Sequence, residues 1–409
     1  MPRARVLSLL LNTGHALDHL FLLIFATAVS TIAAEWGMRW EDLMPYAAGA
    51  FVMFGLGSLP AGRLGDLWGR RAMMVVFFVG LGVSSFLIAA AVGPWSLALA
   101  LTVLGVFASI YHPVGIPMLV QEAKNPGFTI GLNGLAGNLG IAVAAILTGF
   151  LVKHVGWRMA FAVPGAIALA CGAAFALFAP RETAPPAKRP RKMVELPRSI
   201  VARAFAVMTL AAISSSLIFN FTTNGNGQLL AERLRGLVDD PAHLGMLLAV
   251  VYTVASFAQL VVGKLIDRFP LKWIWLPMVA ANVPLFALAA HAQGWALYAL
   301  VLAFMVFVFG GIPFIDAMIV QYVDDRMRSR VSGVRLAVSF GVSSLAVYAL
   351  GPTVKAAGFS TLLAVMATLA LISTVFVAML PGRLTTATPA PAGVTASRPS
   401  FRTRPGRAS

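Results

Sequence analysis

Gly62-Arg63-Leu64-Gly65-Asp66-Leu67-Trp68-Gly69-Arg70-Arg71 closes one apolar run of the chain, and Gly263-Lys264-Leu265-Ile266-Asp267-Arg268-Phe269-Pro270 closes another. Asp66 and Asp267 stand 201 positions apart in 409 residues, and Val120-Gln121 returns as Val320-Gln321 at an offset of 200. A repeat of half the chain, each copy ending an apolar stretch in a charged turn, predicts two duplicated halves that both lie in a membrane.

Composition points the same way. With 59% hydrophobic residues, 11% charged residues and a mean hydropathy of +0.84, there is too little polar surface to coat a water-soluble globule. Apolar windows of about 20 residues, enough to cross a hydrocarbon core of about 30 Å as a helix, recur twelve times: 6–33, 43–63, 72–92, 95–120, 128–152, 158–179, 200–228, 243–265, 271–291, 294–321, 331–353 and 358–380. These runs are long and continuously apolar, whereas barrel strands are about ten residues with alternating polarity. The expected fold class is therefore an all-α polytopic membrane protein, twelve transmembrane helices in two pseudo-symmetric six-helix bundles. The expected divisions are an N-terminal bundle over 1–180, a basic linker over 181–199, a C-terminal bundle over 200–383 and a disordered tail over 384–409. Proline and charge in Pro185-Pro186 and Lys188-Arg189-Pro190-Arg191-Lys192 keep the linker from packing.

Basic residues set the orientation. With both termini inside, 24 Lys and Arg fall on the cytoplasmic segments and six outside (Arg39, Lys153, Arg158, Arg233, Arg235, Lys355), with Arg335 inside a helix. The bacterial cytoplasmic membrane is the expected location. The net charge of +16 is scattered over many inner loops, not gathered on one face with interleaved aromatics, so no nucleic-acid partner is expected. Arg3 and Arg5 before an apolar run imitate a secretory signal, yet that run is too long and holds His15, Asp18 and His19, so it reads as a retained first helix. Cys171 is the one cysteine, which excludes an internal disulfide and a cysteine-based metal site.

Two six-helix halves, a long basic middle connection and Gly-x-x-x-Asp cassettes after the second and eighth spans resemble the major facilitator superfamily, over about residues 6–380. The first cassette matches that family's loop signature almost throughout; the second has Pro270 where glycine is expected. The resemblance implies that Gly62, Asp66, Arg70 and Arg71, with Gly263, Asp267 and Arg268 in the second copy, latch an inner gate. The alternative is that they set topology and helix packing, since an aspartate near a helix N-terminus serves either purpose. Tyr111-His112-Pro113 and Gly137-Asn138-Leu139-Gly140 look like the fosmidomycin-resistance branch of that superfamily, whose members are proton-coupled exporters of drugs and small metabolites. That branch tends to carry His followed three and four positions on by Asn-Asp in its first helix. Here His15 is followed by Asp18 and His19, the charges kept but displaced.

Ionisable residues at membrane depth carry most of the mechanistic information, because each needs a partner, a wet cavity or a proton. His15, Asp18 and His19 fall at i, i+3 and i+4, a compact cluster on one helix face. His112 directly precedes Pro113, which frees the carbonyl four residues earlier and predicts a bent, partly unwound fourth helix. Asp316 is the lone acid of the tenth span, and its repeat counterpart is Ile116. Asp18, His15, His19, His112 and Asp316 are the proton-coupling candidates; the other reading is that they hydrogen-bond neighbouring helices as structural glue. Asn220-Phe221-Thr222-Thr223-Asn224-Gly225-Asn226-Gly227-Gln228 is too polar for lipid and too glycine-rich for a regular helix, so a broken helix lining a cavity is expected. Asn220 and Asn224, with Asn133, Asn138 and Gln259, are the substrate-cavity candidates. Glycines 131, 134, 137 and 140 are spaced for close helix packing.

No enzyme signature is present, and without a Gly-x-x-x-x-Gly-Lys-Ser/Thr loop direct ATP hydrolysis is not expected. No cofactor is called for, the energy source being a proton gradient. His15 and His19 have zinc-like i, i+4 spacing, but the sequence specifies no third ligand, so no metal is assigned. The expected function is a monomeric secondary transporter that exports a small organic solute against protons. Proton-linked uptake of a metabolite, or a non-transporting membrane sensor or assembly partner, are the alternatives.

Overall fold

Helices that are apolar on every side must be surrounded by lipid or by one another, and most helices of this chain have both neighbours. In a computed structural model, residues 3–121, 123, 126–180, 198–266, 268–314, 318 and 325–380 are described. They form α1 (Arg3–Glu35), α2 (Ala48–Trp68), α3 (Arg70–Ala89), α4 (Pro94–Ala108), α5 (Pro126–Val155), α6 (Trp157–Phe178), α7 (Arg198–Arg233), α8 (Pro241–Ile266), α9 (Leu271–Ala289) and α10 (Gly294–Gly310). The final helical run, Asp325–Ala378, turns at Gly358 (φ 76°, ψ 169°), and its stretches 325–357 and 359–378 are α11 and α12. Short helical turns at Trp40–Leu43 and Met44–Ala47 lead into α2.

Ten described helices are long and apolar enough to cross a membrane. In that ten the run Gly341–Ala378, which turns at Gly358, counts once, and α7 is not included. On α7, Ser214, Asn220, Thr222, Thr223, Asn224, Asn226 and Gln228 all lie buried. Leu56, Leu99, Phe150 and Leu177 are each more than half exposed, an apolar exterior suited to lipid and unsuited to water.

The packing repeats with the sequence. In the first half α1 packs on α5, α2 on α4 and α3 on α6; in the second, α8 packs on α10 while α7 and α9 pack on the final run. The halves meet along two equivalent seams, α5 against α8 and α2 against α11. Lipid tails are as apolar as leucine, so these contacts depend on close approach instead of water exclusion. A Cβ on Gly140 would lie 2.1 Å from the Ala16 carbonyl oxygen, and one on Gly105 2.1 Å from that of Ala50. Of the four glycines expected to pack closely in α5, 137 and 140 do so; Gly134 meets only Gln259 at ordinary distance, and Gly131 meets nothing.

The six cations assigned to the outside gather at one end of the bundle, five of them in ion pairs. Arg39 pairs with Glu41 (2.6 Å), Arg158 with Glu35 (2.8 Å), Arg233 with Glu232 (3.2 Å) and Lys355 with Asp42 (2.6 Å), and Lys153 pairs with Asp240. The Lys153 and Lys355 pairs cross between the halves. Asp240 also caps α8, its Oδ1 accepting the Ala242 (2.9 Å) and His243 (3.1 Å) amides. The Lys153 ammonium, helped by these amides, holds the Asp240 carboxyl below its usual range. Being depressed, this group stabilises the fold above the ordinary aspartate pKa of about 3.9 and loses that contribution as pH falls through its folded value. The difference in thermal midpoint between wild type and Lys153→Met should therefore be present at neutral pH and vanish in acid below that range.

Candidate functional site

Proline 113 decides the geometry of the site. With no amide to donate at that position, the fourth helix does not unwind as expected but widens into a π-helical turn, Tyr111–Gly115, before resuming over Ile116–Val120. The wider turn aims His112 at α1, and such turns recur at functional sites. The fifth helix supplies the floor. A Cβ on Gly137 would lie 2.7–2.9 Å from ring atoms of His15, so the imidazole lies flat on a backbone that only glycine leaves bare.

Four of the five coupling candidates converge here. The His15 ring centroid is 4.8 Å from that of His19 and 5.1 Å from that of His112, both at nearly right angles, and His15 stacks on Tyr111 at 4.7 Å. His112 Nε2 lies 3.6 Å from Asp18 Oδ2. Asp18 is fully buried, and neither carboxylate oxygen has a hydrogen-bond partner among the described residues. The fifth candidate, Asp316, lies outside the described residues, as do Asp267 and the side chain of Arg335.

A polar scaffold holds the cluster. His15 Nδ1 is 2.7 Å from the Asn133 carbonyl oxygen. Asn133 Nδ2 donates to Asn12 Oδ1 (2.9 Å) and to the Tyr111 hydroxyl (2.8 Å), which donates to the Leu11 carbonyl (2.8 Å). Asn133, a substrate-cavity candidate from the sequence, is thus a hub of this cluster. Tyr111 and Asn12 were missed as site residues, although Tyr111 stood in the quoted motif and Asn12 sits one turn before His15. Tyr111→Phe should lower stability by about 1 kcal/mol, the usual net worth of a hydrogen bond, read as a lower unfolding midpoint in detergent.

The second-half candidates are arranged differently. The polar end of α7 is not broken: the helix runs unbroken to Arg233, and its side chains satisfy themselves on the preceding turn. Asn220 Nδ2 donates to Ser216 O (2.9 Å) and Ser343 Oγ (2.8 Å), Asn224 Nδ2 to Asn220 O (3.0 Å), and Thr222 and Thr223 to carbonyls four residues back. Asn220 thereby joins α7 to α11, at the seam equivalent to His15–Asn133 in the first half. Gln259 lies across the α5–α8 seam beside Gly134. Asn138 is buried with its amide nitrogen unpartnered. Gln228, the last residue of the polar stretch though not among the named candidates, donates from α7 to the Ala26 carbonyl of α1 (2.6 Å) and borders a cavity of ≈ 540 Å³ with Ser30, Trp40, Arg39, Glu41 and Arg235.

The cassette residues separate into packing and anchoring. Gly62 and Gly65 admit Pro113 and Val114, at 3.3 and 3.0 Å from an added Cβ, whereas nothing approaches Gly263. Asp66 is exposed and has no hydrogen bond among the described residues. Arg70 donates to Gln121 Oε1 (3.2 Å), and Arg71 caps the carbonyls of Ala176 and Ala179 (3.0 Å for the latter) at the end of α6. These bonds join elements of the same half. Gly69 makes the turn at φ 88°, while Pro270 begins α9 in extended conformation, so the two copies turn by different means; Arg268 closes the end of α8 through its amide to Leu265 O (3.0 Å).

A profile described as Major Facilitator Superfamily matches residues 11–237, more than half of the chain. The chain belongs to the Major Facilitator Superfamily. Membership of this superfamily points to transport rather than to enzymatic chemistry. A probable actinorhodin transporter of Streptomyces coelicolor is 30% identical over 162 residues, 38% of this chain and 28% of that protein. The puromycin resistance protein of Streptomyces alboniger is 30% identical over 145 residues, 35% of this chain and 29% of that protein. The chain thus spans less than a third of the length of either relative. The crystal structure of a bacterial homologue of the human lysosomal transporter Spinster, inward-facing and occupied, superimposes with a TM-score of 0.74 at 16% identity, over 93% of this chain and 97% of that one.

Proposed function

We propose that this superfamily member exports a small organic solute by alternating access in exchange for protons, with Asp18 and the imidazoles of His15, His19 and His112 as the coupling group. The observation that carries this reading is Asp18, an acid with no exposure and no hydrogen bond to either oxygen, set 3.6 Å from an imidazole. An unneutralised aspartate at membrane depth costs about 2.5–3.5 kcal/mol on insertion scales, and binding a proton removes that cost. A site whose occupancy changes its own energy by this much suits coupling to a conformational cycle. The resemblance of Tyr111-His112-Pro113 and Gly137 to Gly140 to the fosmidomycin-resistance branch supports export, as does the name of the puromycin resistance relative.

In this reading the protein sits in a bacterial cytoplasmic membrane with both termini inside, works as a monomer, and uses the Gly62–Arg71 and Gly263–Arg268 cassettes as inner latches. Lys153–Asp240, Lys355–Asp42 and the glycine seams then close the outer end. The test is proteoliposomes loaded with a pH-sensitive dye and offered phosphonates, antimicrobials and small carboxylates. Solute-dependent proton movement opposite to solute flux is expected; movement in the same direction identifies uptake, and no movement with any compound contradicts transport coupled to protons.

A further inference from the structure

The three imidazoles of the site meet a condition that proton coupling alone does not require. One ligand-capable nitrogen from each of His15, His19 and His112 can be chosen so that all lie within 4.8 Å of one another. From this geometry we infer that the cluster is also a binding site for a divalent transition cation of zinc type, held by these three nitrogens with the Asp18 carboxylate as fourth ligand or counter-charge. The inference concerns the same residues as the proposed coupling but stands on their geometry, whatever ion or solute the transport cycle uses.

Four features support it. First, His15 Nδ1 faces the Asn133 carbonyl at 2.7 Å. A carbonyl only accepts, so Nδ1 carries the hydrogen and Nε2 is left with a bare lone pair. Metal-bound histidines are oriented in this way, by donating the other ring nitrogen to a carbonyl or carboxylate. Second, that Nε2 is buried with no partner, in a residue only 5% exposed. Third, His15 and His19 are an i, i+4 pair on α1, the helical spacing suited to two ligands on one metal, and the π-helical turn of α4 brings in the third. Fourth, the anionic partner is adjacent, since Asp18 Oδ2 is 3.6 Å from His112 and both its oxygens lack hydrogen bonds.

Zinc–nitrogen distances of about 2.0–2.1 Å in a tetrahedron place ligand nitrogens about 3.4 Å apart. Closing on the ion therefore asks each ring to swing inward by about an ångström from the present spread. Three nitrogens and a carboxylate match zinc, cobalt and nickel and do not match magnesium or calcium, which take oxygen ligands. His19 and His112 are partly exposed, which leaves the site a path to solvent.

Purified, tag-free, full-length protein would be titrated with Co²⁺, whose visible absorption intensifies in tetrahedral nitrogen sites, and with Zn²⁺ by calorimetry at fixed pH. One tight equivalent is expected, with a tetrahedral cobalt spectrum displaced by zinc and unaffected by excess magnesium. His19→Gln, the ring with no hydrogen bond among the described residues, should weaken binding at least about tenfold, since loss of even an outer-shell partner commonly costs 10–100-fold. His15→Gln and His112→Gln should do the same, each checked for native elution and unfolding midpoint. The other three histidines, His154, His243 and His291, serve as controls: replacing all three with Gln should leave the cobalt spectrum unchanged. Absence of binding to the wild type at millimolar metal, or a spectrum that survives His19→Gln but is lost on replacing the three controls, overturns the inference.

Discussion

Asp18→Asn is expected to abolish gradient-driven flux, by roughly two orders of magnitude or more, while solute exchange down its own gradient and solute binding persist. The asparagine keeps the shape of a fully buried side chain and cannot change charge. A carrier frozen in one charge state can still alternate when loaded with solute, but it no longer links that movement to a proton. The rate factor follows from the energy at stake: about 2.5–3.5 kcal/mol for an aspartate at membrane depth is nearly two to two and a half decades at 1.36 kcal/mol per decade. Among the described residues neither Asp18 oxygen holds a hydrogen bond, so the only contact the change alters is the pair with His112 at 3.6 Å, and native elution with an unchanged unfolding midpoint checks folding. Gradient-driven flux at the wild-type rate in Asp18→Asn would remove Asp18 from the mechanism.

The second large effect is expected from one methyl group at the opposite seam. A Cβ on Gly351 would lie 2.1 Å from the Glu41 carbonyl oxygen, 2.9 Å from its carbon and 3.0 Å from its Cα, all backbone atoms with no rotamer in which to move aside. The α5–α8 seam is built alike: a Cβ on Gly245 would lie 2.5 Å from Ala145 O, and one on Gly149 2.6 Å from Pro241 O. Gly351→Ala therefore opposes closure of the end that Lys153–Asp240 and Lys355–Asp42 also hold. Overpacking of about 1–3 kcal/mol acts only on the closed state, and so shifts the balance of states by about fivefold to 150-fold. Spin labels at Val92 and Leu237, exposed residues in different halves, should show a longer distance in Gly351→Ala, with transport slowed at least about fivefold. An unchanged distance distribution would show that the helices absorb the methyl without parting.

Much of this could be read from the sequence, and the misses share a cause. The repeat, the apolar spans and the placement of six cations at one end follow from charge and hydropathy, which act through the lipid and need no knowledge of neighbours. The cluster of His15, Asp18 and His19 was legible from helical spacing alone. That His112 joins it was only suggested, because the contact spans 94 residues of sequence and depends on a π-helical turn whose width Pro113 permits but does not specify. The end of α7 was misread: its glycines and amides suggested a break, but the helix continues, and its buried amides are satisfied by the carbonyls four residues back. Gly137 looked like one of four equivalent packing glycines; only the structure distinguishes it as the floor beneath an imidazole. Tyr111 was seen as part of a motif, not as the hydroxyl that ties α1, α4 and α5 together.

The central claim is that solute and proton compete through Asp18 and its imidazoles. Its most direct test is proton release in detergent: a transported solute, once found by the liposome assay, is added to weakly buffered protein with a pH dye. The account predicts a stoichiometric release of protons from the wild type, absent in Asp18→Asn although calorimetry shows the solute still binding. Equal release from both proteins, or binding with no release from either, would contradict it.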